Sequence, residues 1–166
     1  MMISEKMRDA LNEQVGHEFG AYLQYLSIAS YFESESLPEL AGFFFAQAED
    51  ERSHAMKFVK YINDAGADLT IPAIPAPRHQ YESAEVAVRL SLDWEKTVTR
   101  QINSIMDLAM QEKDYLSRGF LDWFVDEQME EISTMESLLK TVQRAGDNLL
   151  LVEGYLQNRP SPVAEG

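Results

Sequence analysis

The sequence predicts an all-α fold: a four-helix bundle with a long crossover between the second and third helices and a short fifth helix at the C-terminus. Three observations predict it. Apolar residues recur at steps of three and four through four long segments. No segment sustains the alternation of a half-buried strand. The first and second segments are joined by a short link, as are the third and fourth, whereas a proline-bearing stretch separates the second from the third. Short links make antiparallel neighbours, and a long one lets the chain travel the length of a bundle.

The first helix is expected from about Ser4 to Glu33, with a stripe of Leu11, Val15, Tyr22, Tyr25, Ala29 and Phe32. The second opens at Ser36-Leu37-Pro38-Glu39, where Ser36 is placed to cap, Glu39 to close a capping box and Pro38 to occupy the first turn. It stops near Gly66, a C-terminal cap, and its stripe reads Leu40, Phe44, Ala48, Ala55, Phe58 and Ile62. Residues 67–83 hold Pro72, Pro75 and Pro77 without either rhythm, and Leu69, Ile71 and Ile74 predict that they lie against the bundle. The third helix follows Ser83 and runs to about Lys113, with Val88, Leu92, Val98, Ile102 and Met106 inward. The fourth runs from near Tyr115 to Gly146, with Leu121, Phe124, Met135, Leu138 and Val142 inward. A short apolar helix, Asn148 to Gln157, closes the fold. Residues 1–158 make one domain, and 159–166 are expected to be a disordered tail.

Composition narrows the function. A chain of 166 residues, 45% hydrophobic, is long enough for one domain with a sizeable core. No apolar run approaches the roughly 20 residues of a membrane span, and the N-terminus lacks the apolar stretch of a signal peptide. Without cysteine there are no disulfides, zinc fingers or thiolate iron centres, which fits a reducing cytoplasm. A net charge of −14 argues against nucleic acid; it serves either solubility or an acidic surface that attracts cations.

Each long stripe is interrupted by an acid. Glu18 lies between Val15 and Tyr22, Glu51 between Ala48 and Ala55, and Glu95 between Leu92 and Val98. Gln128 and Glu131 lie between Phe124 and Met135. Each glutamate is near the middle of its helix, so all four converge at one level, within about one 5.4 Å turn. Burying one unpaired charge costs several kcal/mol, and no Lys or Arg interrupts the stripes. The acids therefore share protons or hold cations. His54, one turn from Glu51, supplies the nitrogen that transition metals accept and that Mg²⁺ and Ca²⁺ do not need. A Glu-x-x-His pair with further inward glutamates is a dinuclear iron or manganese constellation. The non-enzymatic alternative is a structural bundle whose inward acids are idle.

The stretches LNEQVGHEFGAYLQY (11–25), AEDERSHAM (48–56) and LDWFVDEQMEE (121–131) resemble three core motifs of the ferritin family, in particular of bacterial non-haem ferritins. The resemblance covers nearly the whole chain. It implies iron storage with ferroxidase activity: Fe²⁺ oxidised by oxygen or hydrogen peroxide, and ferric mineral held in a hollow shell of about 24 subunits. It places Glu18, Glu51 and His54 around a first iron, with Glu51 bridging to a second that Glu95 and Glu131 complete. Gln128 matches a position beside the second iron; haem-containing bacterioferritins carry a second Glu-x-x-His where this chain reads Gln128-x-x-Glu131. Tyr25 and Trp123 match aromatic residues that can donate an electron. Asp50, Glu127 and Glu130, beside Glu131, match a third iron site of some bacterial ferritins. No haem is expected, because Arg52 stands where the haem-binding relatives carry methionine. Animal ferritins line their three-fold pores with acids where this chain has Arg118 and Leu121, so iron access by that route is not expected.

The resemblance leaves other relatives as rivals. A haem bacterioferritin is the nearest. A rubrerythrin-like peroxidase would carry a thiolate iron domain, and a DNA-protecting mini-ferritin would place its ligands across a subunit interface and lack the fifth helix.

Overall fold

A computed structural model describes residues 1–159. Five helices follow in order: α1 Glu5–Ser34, α2 Pro38–Asp64, α3 Ala84–Glu112, α4 Tyr115–Ala145 and α5 Leu150–Asn158. The described residues contain no strand, and none of their helices is long and apolar enough to cross a membrane. The expected disordered tail lies outside the described residues, apart from Arg159.

Side-chain caps start three helices where the sequence places them. Ser4 Oγ accepts from the Met7 N–H, Ser83 Oγ from Val86, and Asp114 Oδ1 from Ser117. The start of α2 corrects the expected capping box. Ser36 does not cap α2; it ends α1, with φ 59° and its N–H donating to the Glu33 carbonyl at 3.1 Å, while Leu37 donates to Phe32 at 3.0 Å. The first-turn amides of α2 are instead taken by α5: Glu39 and Leu40 N–H donate to the two carboxylate oxygens of Glu153, at 3.0 and 2.9 Å. A carboxylate at a helix N-terminus is a stronger acceptor than a serine hydroxyl, so the distant group displaces the local one.

Contacts at the ends fix the helix directions. Ser4, before α1, bonds Glu112 at the end of α3, and the Met2 N–H donates to Ala65 at the end of α2. Tyr61, late in α2, bonds Ser117 at the start of α4. Helix α1 is thus antiparallel to both α2 and α3, and α4 to both of those as well. It follows that α2 and α3 run the same way, so residues 67–83 must return along the bundle.

They do so on α1. Asn12 ties Asp68 and Thr70, and Gln24 and Ser27 tie Arg78 and Tyr81. Between these anchors the chain crosses Gly16, where an added Cβ would lie 2.5 Å from Pro72 Cγ. Gly16→Ala is expected to lower stability. Overpacking costs about 1–3 kcal/mol, against about 1 kcal/mol of helix propensity gained. Gly42→Ala, with nothing within 4 Å of its Cβ, keeps only the gain. Thermal unfolding of the two variants should therefore move in opposite directions.

The core divides into two apolar clusters along the bundle axis. One gathers Tyr25 to Phe32, Leu40 to Ala48, Val88 and Met135 to Val142; the other gathers Met7 to Val15, Phe58, Ile62, Val98 to Ala109, Leu121 and Phe124. Between them lies a polar layer.

Candidate metal centre

The polar layer consists of the residues that interrupt the four stripes. Glu18, Glu51, His54, Glu95, Gln128 and Glu131 are all buried, none more than 5% exposed. They are contributed by all four long helices of one chain, not across an interface. Apolar clusters above and below shut the layer off from water along the axis.

Their geometry forms two groups that share one member. Oxygens of Glu18 and Glu51 and a ring nitrogen of His54 lie within 4.8 Å of one another; so do oxygens of Glu51, Glu95 and Glu131. His54 Nδ1 is 3.4 Å from Glu51 Oε2 and 3.9 Å from Glu18 Oε2. Its other nitrogen faces Glu127 Oε1 at 3.8 Å, and His54, Glu127 and Glu131 make a third group of the same span.

Neutral donors hold the outer acids. Gln14 Nε2 donates to Glu18 Oε1 at 3.0 Å. Tyr25 Oη donates to Glu95 Oε1 and Gln128 Nε2 to Glu95 Oε2, the latter at 3.1 Å; Gln128 is steadied by Thr99. Four buried atoms of this layer are left with no hydrogen-bond partner: Glu18 Oε2, both carboxylate oxygens of Glu51 and His54 Nδ1. All four are acceptors or metal donors, and all turn toward the same space. Buried polar atoms are rarely left unpaired, and each lost partner costs about 1–3 kcal/mol. This is the donor set, hard carboxylates with one imidazole, that suits Fe²⁺, Fe³⁺ and Mn²⁺.

Electrostatics agree. Burial pushes Glu51 well above the usual carboxylate range, and the charges of Glu95 and Glu18 add to it. Glu95 is raised by burial, against the pull of its bonds from Tyr25 and Gln128. Burial, Glu95 and Glu127 push Glu131 up to about 10. Burial and the charge of Glu95 raise Tyr25 well above the phenol range. Among the described residues no Lys or Arg forms an ion pair with these acids.

The remaining sequence-derived positions divide. Trp123 meets His54 edge to face, ring centroids 5.4 Å apart, and is 41% exposed. Asp50 is raised by burial and by Glu127, and Glu127 is half-buried beside His54. Glu130 is exposed and joins none of the three groups. Arg52 points outward and bonds Glu49. Leu121 is fully buried in the cluster that holds Phe58 and Phe124, so it lines no surface of the chain, while Arg118 is exposed. Sequence reasoning missed Gln14 and Thr99, although each stands four residues from a glutamate it serves and the helical period could have found them.

The ferritin-like domain family matches residues 8–145. A bacterial non-heme ferritin of Staphylococcus aureus is 40% identical over 147 residues, 89% of each chain. Ferritin BfrB of Mycobacterium tuberculosis is 39% identical over 163 residues, 97% of this chain and 90% of the relative. An open-pore ferritin from Archaeoglobus fulgidus superposes with a TM-score of 0.91 at 33% identity, over 95% of this chain and 99% of that one.

Proposed function

Because the chain belongs to the ferritin family, we propose that it stores iron and oxidises Fe²⁺ to Fe³⁺ at the layer described above. The observation that carries the reading is the set of four unpartnered buried atoms on Glu18, Glu51 and His54. A first Fe²⁺ is held by Glu18, Glu51 and His54, and a second by Glu51, Glu95 and Glu131; Glu51 belongs to both groups and bridges them. Each Fe²⁺ gives one electron to oxygen, which takes two protons and leaves as hydrogen peroxide; peroxide itself serves as a second oxidant. The hard, anionic carboxylates stabilise the Fe³⁺ formed.

Gln128 places a neutral amide beside the second iron and pins Glu95. The second iron has one nitrogen fewer than a second histidine would give, which favours its passage to the mineral. Tyr25 and Trp123 are the candidate donors of a further electron. A third cation beside the pair is supported for Asp50, Glu127 and Glu131, which crowd together, with Lys57 close enough to feel the charge of Glu127; Glu130 contributes from solvent. The assembly is a hollow homo-oligomer of about 24 subunits in the cytoplasm.

The test is an anaerobic Fe²⁺ titration followed by oxygen. We expect binding to saturate at two to three Fe²⁺ per chain, and fast oxidation with release of peroxide. Binding no greater than that of a surface-charge control would leave a structural bundle with idle acids. Negative-stain images should show hollow particles. No Soret band is expected in purified protein, since the Arg52 guanidinium is bonded to Glu49 and is no haem ligand.

A further inference from the structure

Lys57 stands outside the carboxylate layer, three residues beyond His54 on α2, so both side chains turn toward α4. Its Nζ lies 3.2 Å from the centre of the Trp123 ring. The same indole touches His54 edge-on and is 41% exposed. Indole gives up an electron readily, and this one sits between the oxidation site and water. A cation over the ring is attracted to the neutral indole and repels the radical cation left when an electron departs. Both effects raise the potential at which the ring is oxidised. Tyr25 has the opposite surroundings: it is fully buried, and its hydroxyl donates to the acidic side chain of Glu95.

We propose that Lys57 guards Trp123, so that an electron demanded by the oxidant at the site is drawn from Tyr25 and not from the indole. The proposal rests on the oxidation chemistry of the preceding section. The step it suppresses is the reduction of hydrogen peroxide to two waters with one electron from a Fe²⁺ and one from the indole. The indole N–H proton and one proton from solvent complete those waters, leaving Fe³⁺ and a neutral tryptophan radical. Lys57 is a positioning residue here; it touches neither iron nor peroxide.

The test compares the parent chain with Lys57→Gln, which removes the charge, and Lys57→Arg, which keeps it. Each protein is oxidised in two ways: metal-free by photoexcited lumiflavin, a neutral oxidant, and loaded with Fe²⁺ by hydrogen peroxide. Peptide mass spectrometry then reads oxidised Trp123 against oxidised Trp94 as an internal reference, and electron paramagnetic resonance reads the radical. In Lys57→Gln the Trp123 to Trp94 ratio should rise about tenfold under both oxidants, and the iron-loaded protein should show a tryptophan radical. Lys57→Arg should stay within about twofold of the parent. An unchanged ratio in Lys57→Gln under lumiflavin, or Lys57→Arg behaving like Lys57→Gln, overturns the guard. A rise under lumiflavin with no side-chain oxidation by iron and peroxide keeps the guard and removes the oxidation chemistry assigned to the site.

Discussion

Glu51→Ala is expected to slow the fast phase of Fe²⁺ oxidation by about 100-fold or more while leaving the helical fold intact. Glu51 is the one carboxylate common to the Glu18–His54 group and the Glu95–Glu131 group, so its loss would strip a ligand from both proposed iron positions at once. Removing any outer acid leaves one group whole. The fold should survive because both oxygens of Glu51 are unpartnered in the metal-free chain. Deleting them takes an acid out of a layer where burial and the charges of Glu95 and Glu18 already disfavour its ionised form. Stopped-flow absorbance reads the oxidation and circular dichroism the fold. Parent-like oxidation by a well-folded Glu51→Ala protein would remove the dinuclear reading.

The metal-free protein should lose stability as pH rises from about 5 to 8, and bound metal should cancel or reverse the loss. Glu51, Glu95 and Glu131 are all raised in the fold, mainly by burial, from an ordinary value of 4.5, Glu131 to about 10. Over that interval the native state holds protons that the unfolded chain has released. Stability that is fully present below the unfolded value is therefore lost as pH climbs toward the folded one. One such glutamate accounts for about 3 kcal/mol between its unfolded value and neutrality. Repulsion within a chain of net charge −14 pushes the same way, so the informative comparison is with Glu131→Gln, which should flatten the dependence. Zn²⁺, or Fe²⁺ without oxygen, replaces the protons and binds better as pH rises. Thermal midpoints against pH, with and without metal, read both effects. A Glu131→Gln profile as steep as the parent's would contradict the account.

The convergence of the candidate site's residues was legible in the sequence because buried acids on helices obey the same period as the apolar residues around them. Glu18, Glu51, Glu95 and Glu131 could be placed by spacing alone, and His54 by its single turn from Glu51. Helix starts at Ser4, Ser83 and Asp114 were equally local. Local signals misled where a distant group was stronger. Ser36 and Glu39 spell a capping box, yet Glu153 takes the amides they would have held. Helical spacing sets Glu127 and Glu130 on one face, but that face is broad, and only Glu127 turns into the gap beside His54. The contact of Lys57 with Trp123 depends on how closely α2 and α4 approach. That distance is set by the Phe58–Phe124 and Tyr61–Phe120 pairs, centroids 4.4 and 4.1 Å apart, and no single segment encodes it.

The carboxylate of Glu153 has a consequence for the order in which the molecule can be completed. It serves amides that lie 114 and 113 residues earlier in the chain. During translation the first turn of α2 leaves the ribosome long before its acceptor exists, and the α1–α2 hairpin waits with two open donors at its corner. Only a chain read through to α5 closes that corner. The shortest helix thus reports that synthesis has passed α4: a product that stops there carries every residue of the candidate metal centre but leaves the start of α2 unlatched, and it should be more open to fraying and to proteases.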